Sequence, residues 1–167
     1  MKISLVAAMG KNRVIGRKGK LPWKRISADL RRFHELTIGK PVVMGRKTFE
    51  SLGRKPLPDR LNVVLSRERK YEAPGCLLLH SVEDVLEVLA GFDEVAVIGG
   101  AEVYRAFLPY ASRICLTVVM RRFAGDTFFP SVNWEKDWQM TEDLSIKKGL
   151  NTPYNLWFSV FERYRKP

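Results

Sequence analysis

Short, dense apolar runs alternate along the chain with longer segments whose apolar positions recur at helical spacing, the pattern of strands joined through helices. Ile3–Met9 is mostly apolar and partly β-branched, which predicts a buried strand. Gly10 to Trp23 breaks that pattern. Gly10, Gly16, Gly19 and Pro22 alternate with Lys11, Arg13, Arg17, Lys18 and Lys20, so a long polar loop is expected, kept for function or left disordered. Ser27 is placed to cap a helix carrying Asp29 in its first turn and Leu30, Phe33 and Thr37 on one face.

Pro41–Met44 predicts a second strand, followed by a short helix from Gly45 to Leu52 that Gly53 closes, and by the proline turn Pro56–Asp59. Leu61–Leu65 and Cys76–Leu79 read as the third and fourth strands. Ser81 caps an amphipathic helix through Ala90 that Gly91 ends. Glu94–Ile98 is a fifth strand running into Gly99-Gly100 and a helix through Leu108, and Ile114–Val119 is a sixth. Gln139–Ile146 and Leu156–Arg163, separated by Lys147–Pro153, read as an antiparallel hairpin. These elements predict an α/β fold: a single domain over residues 1–167 with a central mixed, mostly parallel eight-stranded sheet, an antiparallel C-terminal strand and about four flanking helices.

Composition narrows the class. A chain of 167 residues, 46% hydrophobic and 28% charged, is of single-domain size and excludes a disordered or collagen-like protein. No apolar run approaches the ~18 residues of a membrane span, so a soluble, cytoplasmic protein without a membrane partner is expected. Cys76 and Cys115 form no C-x-x-C pair, and His34 and His80 stand alone, which indicates neither a disulfide framework nor a metal site. The net charge of +11 would attract nucleic acid, an anionic surface or small polyanions such as nucleotides. Aromatic and basic residues are not interleaved in a stacking pattern, so specific nucleic-acid binding is not expected.

Ligands of such sheets bind at the carboxyl ends of strands, which directs attention to the strand-to-helix turns. Met44-Gly45-Arg46-Lys47-Thr48 delivers free N–H groups, two cations and a hydroxyl to one point, suited to a phosphate and equally readable as a solvated basic helix start. It is not a Walker A loop, because Lys40 and Arg46 stand where that motif needs glycine and lysine. Ile98-Gly99-Gly100 is a second such turn, or an ordinary strand terminator. Leu65-Ser66-Arg67 ends a third strand with a hydroxyl and a guanidinium that fit a phosphate monoester. Together these turns suggest a dinucleotide. Asp29 lies beside Leu30 and four residues before Phe33. Either it is a routine helix-dipole partner, or its two oxygens accept from a planar N–H fork on a ligand.

Val6-Ala7-Ala8, Ile15-Gly16, Leu21-Pro22-Trp23, Asp29, Met44–Thr48, Pro56-Leu57-Pro58, Leu65–Arg67, Ile98–Gly100, Val103-Tyr104 and Gly125-Asp126-Thr127, in this order and spacing, resemble the dihydrofolate reductase family over nearly the whole chain. The resemblance implies an NADPH-dependent oxidoreductase. A hydride passes to C6 of dihydrofolate, N5 takes a proton, and tetrahydrofolate leaves. It implies that Asp29 binds the pterin N3 and 2-amino group, that Thr117 braces this carboxylate, that Trp23 positions water, and that Leu21 lies in the loop closing over the nicotinamide. Val6, Ala7, Ala8, Leu30, Phe33, Ser51, Leu52, Leu57, Ile98 and Tyr104 would line the substrate pocket, and Arg60 would grip the α-carboxylate of the glutamate tail, polyglutamylated or not.

The same resemblance gives NADPH to Ala8, Ile15, Gly16, Leu21, Gly45, Arg46, Lys47, Thr48, Leu65, Ser66, Arg67, Ile98, Gly99, Gly100, Ala101, Glu102, Val103, Tyr104 and Thr127. Arg46, Lys47, Ser66 and Arg67 would hold the 2′-phosphate. No metal is implied, and the family's standard member is a monomer. Glu102 and His80 stand where some relatives have a basic residue near the adenosine. A relative of the same fold, the reductase domain of riboflavin biosynthesis, would share the glycine turns, but the Trp23–Asp29–Arg60 set fits a pteridine and its glutamate tail.

Overall fold

The computed structural model describes residues 1–165 of the chain; Lys166 and Pro167, which the one-domain reading includes, lie outside them. The elements in order are β1 (Lys2–Gly10), β2 (Val14–Gly16), α1 (Ser27–Thr37), β3 (Val42–Gly45), α2 (Arg46–Ser51), β4 (Asn62–Leu65), β5 (Leu77–Leu79), α3 (Val82–Val88), β6 (Glu94–Gly99) and α4 (Ala101–Phe107). After a single 3₁₀ turn at Leu108–Tyr110 come β7 (Arg113–Val119), β8 (Thr127–Phe128), α5 (Trp134–Asp137), β9 (Trp138–Ile146) and β10 (Leu156–Arg163).

Eight strands form one sheet in the order β5-β4-β3-β6-β1-β7-β10-β9. The strands from β5 through β7 run parallel, and β10 is antiparallel to both β7 and β9, as the sequence predicts. Strands covered on both faces need apolar side chains at successive positions, which is why Val42-Val43-Met44 and Val95-Ala96-Val97 are wholly buried. Alternation still sorts them by face. Leu5, Val43 and Val97 join Val85, Leu89 and Phe107 in one core cluster, under α3 and α4. Val6, Val42, Met44 and Ala96 join Phe49, Phe33 and Leu36 in another, under α1 and α2.

Ser81 caps α3 as expected, accepting from the Asp84 N–H at 3.0 Å. Ser27 does not cap α1. It is the helix's first residue, and the cap position is Ile26, which has no side-chain capping bond. Ile26 is 2% exposed and packs with Trp23, Val119, Leu156 and Phe158. Burying such a side chain contributes about 1.5–3 kcal/mol, more than the ~1 kcal/mol of a polar cap, so packing decides where the helix begins.

The polar loop after β1 also holds more order than its composition suggests. β2 inside it pairs with β8 as a separate two-stranded ribbon. Gly125 permits this approach, because a Cβ there would overlap Val14 and the Gly16 carbonyl. α5 is a fifth, four-residue helix whose Asn133 cap accepts from the Lys136 N–H at 3.2 Å.

At the end of the sheet away from the carboxyl ends of the parallel strands, Glu94 gathers a charge network. The Ser4 hydroxyl donates to it at 2.6 Å, Lys40 pairs at 3.1 Å and Arg113 at 3.7 Å, and Arg113 also holds Glu162 at 2.7 Å. Burial alone would raise the Glu94 carboxyl, but Ser4, Lys40 and Arg113 together hold it below the usual range. A carboxyl depressed in the folded state adds stability above its unfolded value, about pH 4.3, and loses it as pH falls through the folded value. Glu94→Gln is therefore expected to cost roughly 1–2 kcal/mol in urea unfolding at pH 7 and much less below pH 3. An equal loss at both pH values would show the network to be neutral packing.

Candidate active site

The carboxyl ends of β1, β3, β4 and β6 open on a cleft of about 1830 Å³ that runs between α1 on one side and the α2 and α4 turns on the other. The fold places it where chain order reverses. β1 is central, the chain builds outward through β3, β4 and β5, and β6 returns between β3 and β1.

One end of the cleft is apolar with a single carboxylate. Asp29, in the first turn of α1, is half-buried among lining that includes Val6, Ala7, Leu30, Phe33 and Ile98, with Trp23 nearby and 7% exposed. Burial raises the Asp29 carboxyl above the usual range, while the Thr117 hydroxyl hydrogen-bonded to it and the positive Arg32 act in the opposite sense. Thr117 comes from β7, whose register pairs it with Ala8 on β1. Tyr104 from α4 closes the floor, donating its hydroxyl to the Val6 carbonyl at 2.7 Å. Burial first, and the Asp29 charge second, push its phenol far up, so it stays a donor. A carboxylate in such surroundings accepts from a neutral or cationic N–H pair with little competition from water.

The other end is polar and cationic. β3 and β6 are adjacent, which brings Gly45 and Gly99 side by side, each feeding a helix. The fit is close: a Cβ on Gly45 would sit 3.0 Å from Val103, and Gly99 holds φ +125°, which strains any side chain and would put its Cβ 3.3 Å from the Tyr104 hydroxyl. The Gly99–Gly100 peptide is cis. The free N–H groups of the two turns thus face a cleft also lined by Arg46, Lys47, Thr48, Ser66 and Arg67. Arg46 pairs with Glu50 at 3.0 Å. His80, at the end of β5, places Nδ1 2.8 Å from the Ser66 carbonyl. This donor set fits a dinucleotide carrying an extra phosphate, with the cations Arg46, Lys47 and Arg67 lining the cleft alongside the carboxylates Glu68 and Glu102.

Over the mouth lies the loop from Gly10 to Trp23, with Leu21 58% exposed. Asp126 holds it. Its carboxylate accepts from the Lys18 N–H at 2.9 Å and from the Thr127 hydroxyl at 2.8 Å, and its own N–H donates to the Gly16 carbonyl at 3.0 Å.

The cleft collects nearly every residue singled out from the sequence, including Ala8, Ile15, Gly16, Ser51, Leu52, Leu65, Ala101, Glu102, Val103 and Thr127. Leu57 and Arg60 are outside its lining. Leu57 packs against the Phe33 and Leu36 side of the core, and Arg60 donates to the Pro58 carbonyl at 2.7 Å and the Thr37 hydroxyl at 2.9 Å. The Asn62 side chain fixes both positions by bonding the Leu57 N–H and the Leu57 and Arg60 carbonyls.

Ile26, Arg32, Leu36 and Cys115 line the cleft unpredicted. Helical spacing from Asp29 points to Arg32 and Leu36, three and seven residues on. Strand alternation from Thr117 points to Cys115, whose thiol burial pushes up to about 11. Among the described residues, no group of three His, Cys, Asp or Glu is placed to hold a metal ion.

A family model described as dihydrofolate reductase matches residues 2–163. The chain is 39% identical to a dihydrofolate reductase of Staphylococcus haemolyticus over 99% of its own length and 98% of the relative's, and 42% identical to that of Haemophilus influenzae over 98% and 99%. A dihydrofolate reductase structure from Enterococcus faecalis, complexed with NADP(H) and RAB-propyl, superimposes with a TM-score of 0.92 at 34% identity, covering 98% of this chain and 97% of that one.

Tyr104→Phe tests the cleft floor. It should lower stability by about 1 kcal/mol in urea unfolding, the net value of one hydrogen bond, while leaving the overall far-ultraviolet circular dichroism unchanged.

Proposed function

The chain belongs to the dihydrofolate reductase family, and we propose that the Asp29 cleft is where its two reactants meet. The reaction is the NADPH-dependent reduction of 7,8-dihydrofolate to 5,6,7,8-tetrahydrofolate, with the hydride delivered to pterin C6 and a proton to N5, which supports one-carbon metabolism and nucleotide synthesis. NADPH, when bound, supplies the hydride; the protein supplies binding, orientation and electrostatics. The observation that carries the assignment of the site is a half-buried carboxylate at the apolar end of a cleft whose other end is a cationic double-glycine turn.

Asp29 accepts from the pterin N3 and 2-amino group as a planar pair, and its negative charge favours the protonated pterin at N5, with water as the immediate proton donor. Thr117 braces the carboxylate and Trp23 positions that water. The apolar lining from Val6, Ala7, Leu30, Phe33, Leu52 and Ile98 excludes bulk water and sandwiches the pterin and benzoyl groups, which strengthens every charge interaction inside. The glutamate tail, polyglutamylated or not, runs past Leu57 to Arg60, whose guanidinium the Thr37 hydroxyl already orients outside the cleft. Gly45, Gly99 and Gly100 let backbone approach the cofactor phosphates, and Arg46, Lys47, Ser66 and Arg67 read the 2′-phosphate that separates NADPH from NADH. Leu21 and the loop held by Asp126 cover the nicotinamide. The site is complete within one chain, which supports a monomer. Both cysteines are free, and no described helix is long and apolar enough to cross a membrane, which supports a cytoplasmic location.

Asp29→Asn keeps the shape of the site and removes its charge. Single-turnover hydride transfer at pH 7 should fall by about 10²-fold or more and recover partly as pH is lowered and the pterin protonates in solution. A rate unchanged across pH would remove Asp29 from this role. Arg60→Leu should raise KM for dihydrofolate by roughly 10- to 100-fold with little change in kcat, the signature of a lost charge-assisted contact remote from the chemistry. A tail-less pterin should not notice the substitution, and an equal loss with it would place the tail elsewhere.

A further inference from the structure

Arg32 is a cation lining a cleft whose function, as read above, makes no use of it. It follows Asp29 by three residues on α1 and lines the same cleft. Its guanidinium is fixed rather than free: Nη2 donates to the Ser159 carbonyl of β10 at 3.2 Å, and Cζ lies 4.5 Å from the centroid of the Phe158 ring. Among the described residues it makes no contact ion pair with any carboxylate. Half-burying a guanidinium without such a partner costs free energy, as the downward shift of its own protonation equilibrium shows, and a less expensive apolar residue would cover Phe158 equally well.

We propose that Arg32 is a positioning residue for the reduction, a cation pinned one helical turn from Asp29 in the same cleft, whose field favours the charged form of that carboxylate. The surrounding groups support the assignment. Facing Asp29 are the Thr117 hydroxyl from β7, the Tyr104 phenol from α4 and Arg32 from its own helix. β1 presents only Val6, Ala7 and Ala8 to the cleft. Thr117 and Arg32 both oppose the effect of burial on the carboxyl, and Arg32 alone does so with a full charge. Arg32 in turn feels Cys115 from β7, Glu142 from β9, and Asp29 and Glu35 from α1. The Cys115 thiol stays protonated at neutral pH, which leaves three carboxylates to favour the charged guanidinium. The cation therefore stays on, and its field at Asp29 is constant across the working pH range.

The catalytic meaning of this field rests on the reading of Asp29 as the pterin carboxylate, so the test separates the two. The Asp29 carboxyl carbon is titrated by ¹³C NMR in the ligand-free protein, with D29N assigning the resonance. R32Q should move its midpoint upward by about half a pH unit or more, the effect of one unit charge within several ångströms in a partly wet site. R32M, which keeps an apolar stem over Phe158, should do the same, and R32K should restore the wild-type midpoint. A loss of packing would not follow charge in this way. An unmoved midpoint in a folded R32Q or R32M, or one that R32K fails to restore, overturns the proposal. The acid limb of single-turnover hydride transfer should shift with the midpoint. A midpoint that moves while that limb stays put supports Arg32 acting on Asp29 and refutes instead the reading of Asp29 as the carboxylate that reduction needs.

Discussion

Partly burying a carboxylate in an apolar pocket is unfavourable unless its neighbours stabilise the charge, and the cleft is built around that constraint. Asp29 cannot be placed by α1 alone. The helix start is set by Ile26, anchored among Trp23, Leu156 and Phe158, so the first turn of α1 is held by packing at its outset. The groups that oppose the cost of burial depend on the sheet. Thr117 reaches it from β7, and Arg32 is held against β10. The order β1-β7-β10 in the sheet brings those two strands under the helix. A packing decision at Ile26 and a strand order together place a carboxyl group and its supporting neighbours at the apolar end of the cleft.

The opposite end follows a different rule. There the lining suits a negatively charged group, and the fold supplies helix-start N–H groups and guanidinium groups rather than a single acceptor. It can do so because β6 inserts between β3 and β1, bringing the Gly45 and Gly99 turns together, with Val103 packed close to Gly45 and Tyr104 close to Gly99. Tyr104 links the two ends. It emerges from the helix that Gly99 and Gly100 feed, packs against Gly99 and bonds the Val6 carbonyl at the Asp29 end, so one buried phenol ties the two ends of the cleft together.

Much of this was legible in the sequence because the signals were local. The parallel strands were visible as Pro41–Met44 and Glu94–Ile98 through their continuous apolar character. Asp29 stood out against its apolar stripe, and the glycine turns through their position after strands. What stayed hidden depended on distant partners. β2 and β8 are too short for any periodicity, and they pair across more than a hundred residues, made possible by a glycine whose reason is only visible when Val14 is seen against it. Ser27 offered a good cap, but the apolar Ile26 took the position because tertiary burial outweighs a single hydrogen bond. Arg32 is one of 29 Lys and Arg residues and draws no notice by composition; only its helical spacing from Asp29 sets it apart from Arg31. Arg60 was assigned to the substrate, and the structure fixes it on Pro58 and Thr37 just outside the cleft, oriented but not lining it.

For the proposed reduction, one cleft must hold a pteridine against Asp29 and a phosphorylated dinucleotide against the glycine turns at the same time. Loss of the NADPH absorbance on mixing purified protein with dihydrofolate, repeated with NADH and with the ribosylated pyrimidine of riboflavin synthesis, tests it most directly. Rapid oxidation with NADPH and dihydrofolate, slower oxidation with NADH and none with the pyrimidine is the predicted result. Tight NADPH binding without oxidation by dihydrofolate would contradict the account, leaving the dinucleotide end intact and the Asp29 end without its substrate.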